Sequence, residues 1–258
     1  MMGGTSWPFL VTERGGRVAG GLLLRGLLAG ILAGLLAAGF SYLAGEPSIE
    51  RAIAFESAAD QAAGQPPATE IVSRSVQRGI GLFTASIVYG AALGGFFSLV
   101  FALAYGRLGH FDPRALSALL AAAAFIALVL APELKYPANP PAIGAPDTIG
   151  ARTALYFAML AISLLAMILA ATLAPSLAKK LGPWNGALLA AAVFIAVAGL
   201  AGLALPPVDE IPGGFPANVL WNFRLASIGA RAVLWGTIGL TFGGMTQIYL
   251  RGATPNSA

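Results

Sequence analysis

Six long apolar runs set the plan of this chain, at 22–43, 79–105, 115–131, 153–173, 186–205 and 228–250. Each is close to the roughly 20 residues that a helix needs to cross a hydrocarbon core about 30 Å thick. None alternates apolar and polar positions as a lipid-facing barrel strand does, and none is charged at its centre. The pattern therefore predicts an all-α membrane protein, a six-transmembrane-helix bundle. Consecutive spans pair into three helical hairpins, each closed by a long polar loop. The resulting division is an N-terminal segment 1–21, a transmembrane domain 22–250 with long loops 44–78, 132–152 and 206–227, and a tail 251–258. Arg14, Arg17 and Arg25 before the first span resemble the start of a secretory signal. The apolar stretch after them is longer than a signal core, so the expectation is an uncleaved first span.

Charge orients the bundle. The short turns and the termini carry Arg14, Arg17, Arg25, Arg107, Arg114, Lys179, Lys180 and Arg251 against the acids Glu13 and Asp112. The long loops carry Glu46, Glu50, Glu56, Asp60, Glu70, Glu133, Asp147, Asp209 and Glu210 and are rich in proline. Basic residues favour the inner side, so both termini are expected in the cytoplasm and the long loops outside. Composition agrees: 57% of residues are hydrophobic and 10% charged, against about 25% charged in soluble domains. The net charge of +4 then reflects the pull of anionic inner-leaflet lipid, and no nucleic acid partner is expected.

Two internal regularities stand out. Gly26, Gly30, Gly34 and Ala38 recur every fourth residue, as do Gly90 with Gly94 and Gly239 with Gly243, a spacing that lets helix backbones approach closely in lipid. The second and third long loops also begin alike, with Ala131-Pro132-Glu133 in one and Pro206-Pro207 followed by Asp209 and Glu210 in the other. They return to the bilayer through Arg152 and Arg224. The first loop shares this weakly through Glu46-Pro47, Arg74 and Arg78, which suggests a repeat of two-helix units.

Candidate chemistry is confined to the long loops. Cysteine is absent, and His110, in a short basic turn, is the one histidine. Thiolate sites are therefore ruled out, and neither a closed zinc site nor a Ser-His-Asp triad is expected. No phosphate-binding glycine motif follows a strand, and no nucleophile is paired with a base, so no enzymatic activity is expected. Glu133, Asp209 and Glu210 remain as hard oxygen ligands of the kind that take hydrated divalent cations, in loops stiffened by proline. The same acids can instead form structural ion pairs with Arg152, Arg224 and Arg231. Arg224 and Arg231 fall on one face of a helix that begins near Pro216. The mid-span polar groups are hydroxyls such as Thr84, Ser86, Ser98, Ser163, Thr237 and Thr241, whereas ion pathways place ionisable groups at membrane depth. A partner subunit would then supply ligands.

Pro132-Glu133-Leu134-Lys135-Tyr136-Pro137, Arg152-Thr153 with Tyr156-Phe157, and the block from Leu205 through Val208-Asp209-Glu210-Ile211-Pro212 and Phe215-Pro216-Ala217 to Trp221, Phe223 and Arg224 resemble the CbtA family of predicted cobalt transporter subunits. The likeness covers roughly the second half of the chain. It implies a multi-pass protein of the bacterial inner membrane, tied to cobalt supply for cobalamin synthesis, with Co²⁺ as transported ion and no tightly bound cofactor. It also implies a very small CbtB-like membrane partner with a histidine-rich tail. The matched positions Glu133, Asp209, Glu210 and Arg224 are the site residues it suggests. The alternative is a non-transporting accessory subunit of a larger membrane complex, packed through its glycine faces.

Overall fold

The computed structural model describes residues 13–64, 66 and 71–253, with only the helical backbone for 13–17 and 253. Glu70, most of the N-terminal segment and the end of the tail lie outside the described residues, as do the side chains of Arg14 and Arg17. Among the described residues there is no strand, and six helices are long and apolar enough to cross a membrane. They are α1 (Val18–Ala62), α2 (Arg74–Ala104), α3 (Pro113–Lys135), α4 (Pro146–Leu181), α5 (Pro183–Ala204) and α6 (Ala217–Gly252). The protein is a multi-pass membrane protein.

The helices do not stop where the apolar runs stop. The 45 residues of α1, at about 1.5 Å each, reach roughly 68 Å, more than twice a hydrocarbon core. The segment expected as the first long loop is therefore mostly helical, through Glu46–Ala62 and the start of α2. Likewise α3 runs on to Lys135 and α6 starts at Ala217, shortening the other two loops. A helix outside the bilayer has water for its polar face, so hydropathy marks where the bilayer ends and not where the helix ends.

Three of the helices contain a wide π-helical turn near the long-loop end, at Ser41–Gly45, Gln77–Gly81 and Ile126–Leu130. In two of them the cause is a proline just beyond. The Ala131 amide reaches back to the Ile126 carbonyl, and the next amide due in that ladder would come from Pro132, which has none. The Ala127 carbonyl is thus left without a helical donor, and Ser163 of α4 donates its hydroxyl to it at 2.6 Å. An unpaired carbonyl in lipid costs several kcal/mol, so this bond fixes α4 against α3. Pro47 follows the first π turn in the same way.

Packing follows the small residues. Around Gly26, Gly30 and Gly34 of α1 lie the backbones of Gly94, Gly90 and Ser86 of α2, and a side-chain carbon added at any of these glycines would run into a carbonyl. The decreasing order of partners makes α1 and α2 antiparallel. On α6, Gly239 and Gly243 face Ala121 and Ser117 of α3, and the Ser117 hydroxyl donates to the Gly239 carbonyl at 2.7 Å. α1 also lies on α6, with Phe40 over Gly229 and the Arg25 guanidinium 3.8 Å above the Tyr249 ring.

These four helices enclose one core, in which Phe97 and Phe101 set their rings edge-on against Phe242 at 5.4 and 5.1 Å. A second core joins the end of α3 to α4 and α5 through Ala127, Met159, Ala166, Ala190 and Phe194. α4 and α5 meet across the tight turn at Gly182, whose φ of +84° suits glycine. The hairpin expected of the last two spans is not a packed pair among the described residues: α6 spends its small face on α1 and α3, and α5 packs on α4.

The glycine contacts carry a test. Gly30→Ala forces apart two backbones in van der Waals contact and should lower stability by about 2 kcal/mol. Gly39→Ala, on the same helix with open space at its Cβ position, should be neutral or stabilising by up to about 1 kcal/mol. Thermal unfolding in detergent compares the two, and equal effects would contradict the packing.

Candidate cation-capture site at the long-loop end

The second and third long loops build a cap over α3, α4 and α6. Loop 136–145 leaves α3 at Tyr136, whose buried hydroxyl donates to the Pro206 carbonyl of the other loop at 2.7 Å. Burial raises the Tyr136 phenol above its ordinary pKa, so it stays a protonated donor. Gly144 takes a φ of +104°, and the Arg152 guanidinium lies where its side chain would be. Only glycine allows both the turn and that approach.

Glu210 is the most tightly held acid of the cap. One of its oxygens, Oε2, accepts from the Thr148 hydroxyl and the Ala145 amide, each at 2.9 Å, and lies 3.2 Å from Arg152 Nε. Arg152 in turn donates through Nη2 to the Ala145 carbonyl at 3.1 Å. The Thr148 hydrogen bond, with the Ala145 amide and the Arg152 charge, holds the Glu210 carboxyl below its ordinary pKa against a smaller opposing effect of desolvation.

Beside this strap opens a cleft of about 330 Å³, lined on its polar side by Asn139, Arg152, Asp209, Glu210 and Arg224. Arg224 donates through Nη2 to Asn139 Oδ1 at 2.9 Å and is attracted by the nearby charge of Asp209. Asp209 itself is exposed and forms neither a hydrogen bond nor an ion pair among the described residues. Aliphatic residues, Ile143, Ile149, Val208 and Ile211, form the rest of the wall.

The structure does not bring all three expected acids together. Glu133 is absent from the cleft; its side chain is 3% exposed and ion-paired with Arg231 of α6, which is 40% exposed. α3 stays helical through Lys135, so Glu133 turns into the bundle, where a lone carboxylate is too costly and a cation is required. Among the described residues no group of three or more His, Cys, Asp or Glu side chains could hold a metal ion. His110 is exposed at the opposite end.

The arginines pair in an order that spacing did not reveal. Arg152, at the return of the second loop, binds Glu210 of the third; Arg231 of α6 binds Glu133 at the start of the second. The first loop pairs its charges within itself, Glu46 on Arg74 and Glu50 on Arg78 at 2.6 Å, and meets the other two through apolar side chains, with Ala52 and Phe55 packed among Ile143 and Phe215. Sequence reasoning missed Thr148, the Ala145 amide and Gly144. The one available signal was the run Gly144-Ala145-Pro146-Asp147-Thr148, turn residues leading into a helix. It also missed that Arg231, inside the sixth apolar run, is an ionised group below the loops.

A family model described as "Probable cobalt transporter subunit (CbtA)" matches residues 20–247. The chain belongs to the CbtA family. No curated protein and no solved structure matches the chain. The resemblance seen in the second half thus extends over nearly the whole CbtA-family chain, including α1 and α2.

Two outcomes follow from the ion pairs. Glu133→Ala strands Arg231 and should destabilise the CbtA-family protein by about 3 kcal/mol, whereas replacing the pair together by Glu133→Leu and Arg231→Met should recover most of that loss. Thermal unfolding of both variants checks it; a double variant as weak as the single one would contradict a pairing role. For Glu210 the sign follows from its depressed pKa. Its stabilisation is complete above the unfolded value of about 4.3 and is lost as the pH falls through the lower folded value. The protection factor of the Ala145 amide should drop over that acid window and become independent of it in Glu210→Gln; a flat wild-type profile would remove the strap.

Proposed function

We propose that this CbtA-family subunit takes up cobalt across the bacterial inner membrane in support of cobalamin supply. In this reading both termini are cytoplasmic and the cap faces outward. Asp209 and Glu210 are the oxygen groups that meet the arriving cation, Asp209 first because Glu210 is already engaged. Glu133 serves as a structural anion for Arg231. The observation that carries the reading is the cleft itself. It is open, sits at the acidic end of the bundle and is lined by Asp209 and Glu210, in a chain whose family is described as a probable cobalt transporter subunit.

The donor set also supports a partner. Two carboxylates fall short of the six or more oxygen ligands that a hard divalent ion takes, and the chain has a single histidine. A small histidine-rich membrane protein, CbtB-like, would supply imidazoles for the next step inward. No catalytic role is proposed.

A second reading, an accessory subunit without transport of its own, is favoured by one observation: Glu210, Glu133, Arg152 and Arg231 are spent on each other. One experiment separates the two. Cells carrying the chain, with and without the small partner, are compared with empty cells for accumulation of radioactive cobalt. The uptake reading expects a several-fold rise that Asp209→Asn reduces; uptake equal to that of empty cells in both cases leaves the accessory reading.

A further inference from the structure

We infer that the cleft receives cobalt as an anionic complex with a small carboxylate chelator, the Arg152 and Arg224 guanidiniums holding the chelator and Asp209 the metal. This rests on the cobalt reading above and specifies the form of the cargo.

Charge is the first argument. The cleft wall carries two cations, Arg152 and Arg224, and two anions, Asp209 and Glu210, so it is neutral overall. A bare divalent cation would bring two uncompensated charges next to two guanidiniums. A metal already wrapped by carboxylates brings none, or a negative charge that the arginines attract.

The donors make the second argument. Glu210 Oε2 is committed to Thr148, Ala145 and Arg152, which leaves Glu210 one carboxylate oxygen for the cleft and Asp209, without a bond among the described residues, both of its own. Those three oxygens fill at most three positions of a six-coordinate ion, and the remaining ligands must arrive with the metal. The arginines, by contrast, have donors to spare. Each guanidinium carries five N–H groups; in Arg224 the bond to Asn139 uses Nη2, and the buried Nε has no hydrogen-bond partner. The fork of an arginine matches a carboxylate in two parallel bonds.

Size and lining are the third. A hexahydrated ion displaces about 180 Å³, at about 30 Å³ per water, against about 330 Å³ for the cleft. Small-molecule pockets begin near 300 Å³. Ile143, Ile149, Val208 and Ile211 offer a surface to a carbon skeleton and nothing to a shell of water.

Equilibrium dialysis of the purified full chain in detergent tests the assignment with three probes: radioactive CoCl₂ alone, equimolar cobalt and citrate, and radioactive citrate alone. The expected result is retention of cobalt citrate at least about tenfold above either component, cut about tenfold by Arg224→Gln, the loss of one charge-assisted hydrogen bond. If that variant does not elute as a single species, Arg224→Lys serves in its place, since it keeps the charge and loses the fork. CoCl₂ retained as well as cobalt citrate would overturn the inference. So would citrate alone retained equally, which makes this an organic-anion site, or an arginine variant that binds like the wild type. Cellular accumulation from CoCl₂ as good as from cobalt citrate would keep the transport reading and remove the chelate; no accumulation from either would remove the transport reading itself.

Discussion

Every backbone polar group and every charge within the bilayer must find its partner inside the protein, because lipid offers none. That constraint accounts for the central features of this fold. It makes an amide lost at Pro132 into a docking point, since the Ala127 carbonyl it leaves is taken by the Ser163 hydroxyl of a different helix. It makes Glu133 tolerable only with Arg231 beside it. And because lipid tails give helices no hydrophobic reason to associate, it leaves close backbone contact as the main attraction. The α1–α2 seam is accordingly built from Gly26, Gly30, Gly34, Gly90 and Gly94.

The cap depends on the same rule, applied across loops. Had each long loop paired its acid with its own returning arginine, as the first does with Glu46 and Arg74, the loops could move independently. Arg152 instead belongs to the second loop and Glu210 to the third, Tyr136 donates to Pro206, and Arg224 donates to Asn139. Together with the Ala145 and Thr148 bonds to Glu210, these contacts tie the second loop to the third loop and to α6. The cleft between them is framed by groups bonded across the two loops, which favours a preformed site.

The spans were legible because lipid demands a long apolar run, and the glycine seam because a four-residue spacing has one geometric meaning on a helix. The helical extension Glu46–Ala62 was not, since a helix in water need not be apolar and its polar sequence reads as loop. The pairing of Glu133 with Arg231 was hidden for a different reason. It follows from α6 packing on α3, an arrangement set by Ser117, Ala121, Gly239 and Gly243, and one-dimensional spacing holds no record of which helix lies beside which. Asp209 and Glu210 are adjacent in sequence and line the same cleft. Separating their roles required Thr148 and the Ala145 amide, partners about 62 and 65 positions away.

The position of the two α6 arginines links the cap to the bundle. Arg224 and Arg231 stand seven residues apart on one continuous helix, about 10.5 Å along its axis and within about 20° of the same face. Arg224 faces the cleft, and Arg231 neutralises the carboxylate that closes the top of α3. A helix is stiff over two turns, so a displacement of the helix itself at Arg224 is carried to Arg231 and through it to Glu133. Glu133 and Arg231 neutralise each other, so moving Arg231 away leaves a buried carboxylate that needs another cation. In the cobalt reading proposed above, the arginine at the cleft and the arginine that neutralises Glu133 thus share one helix.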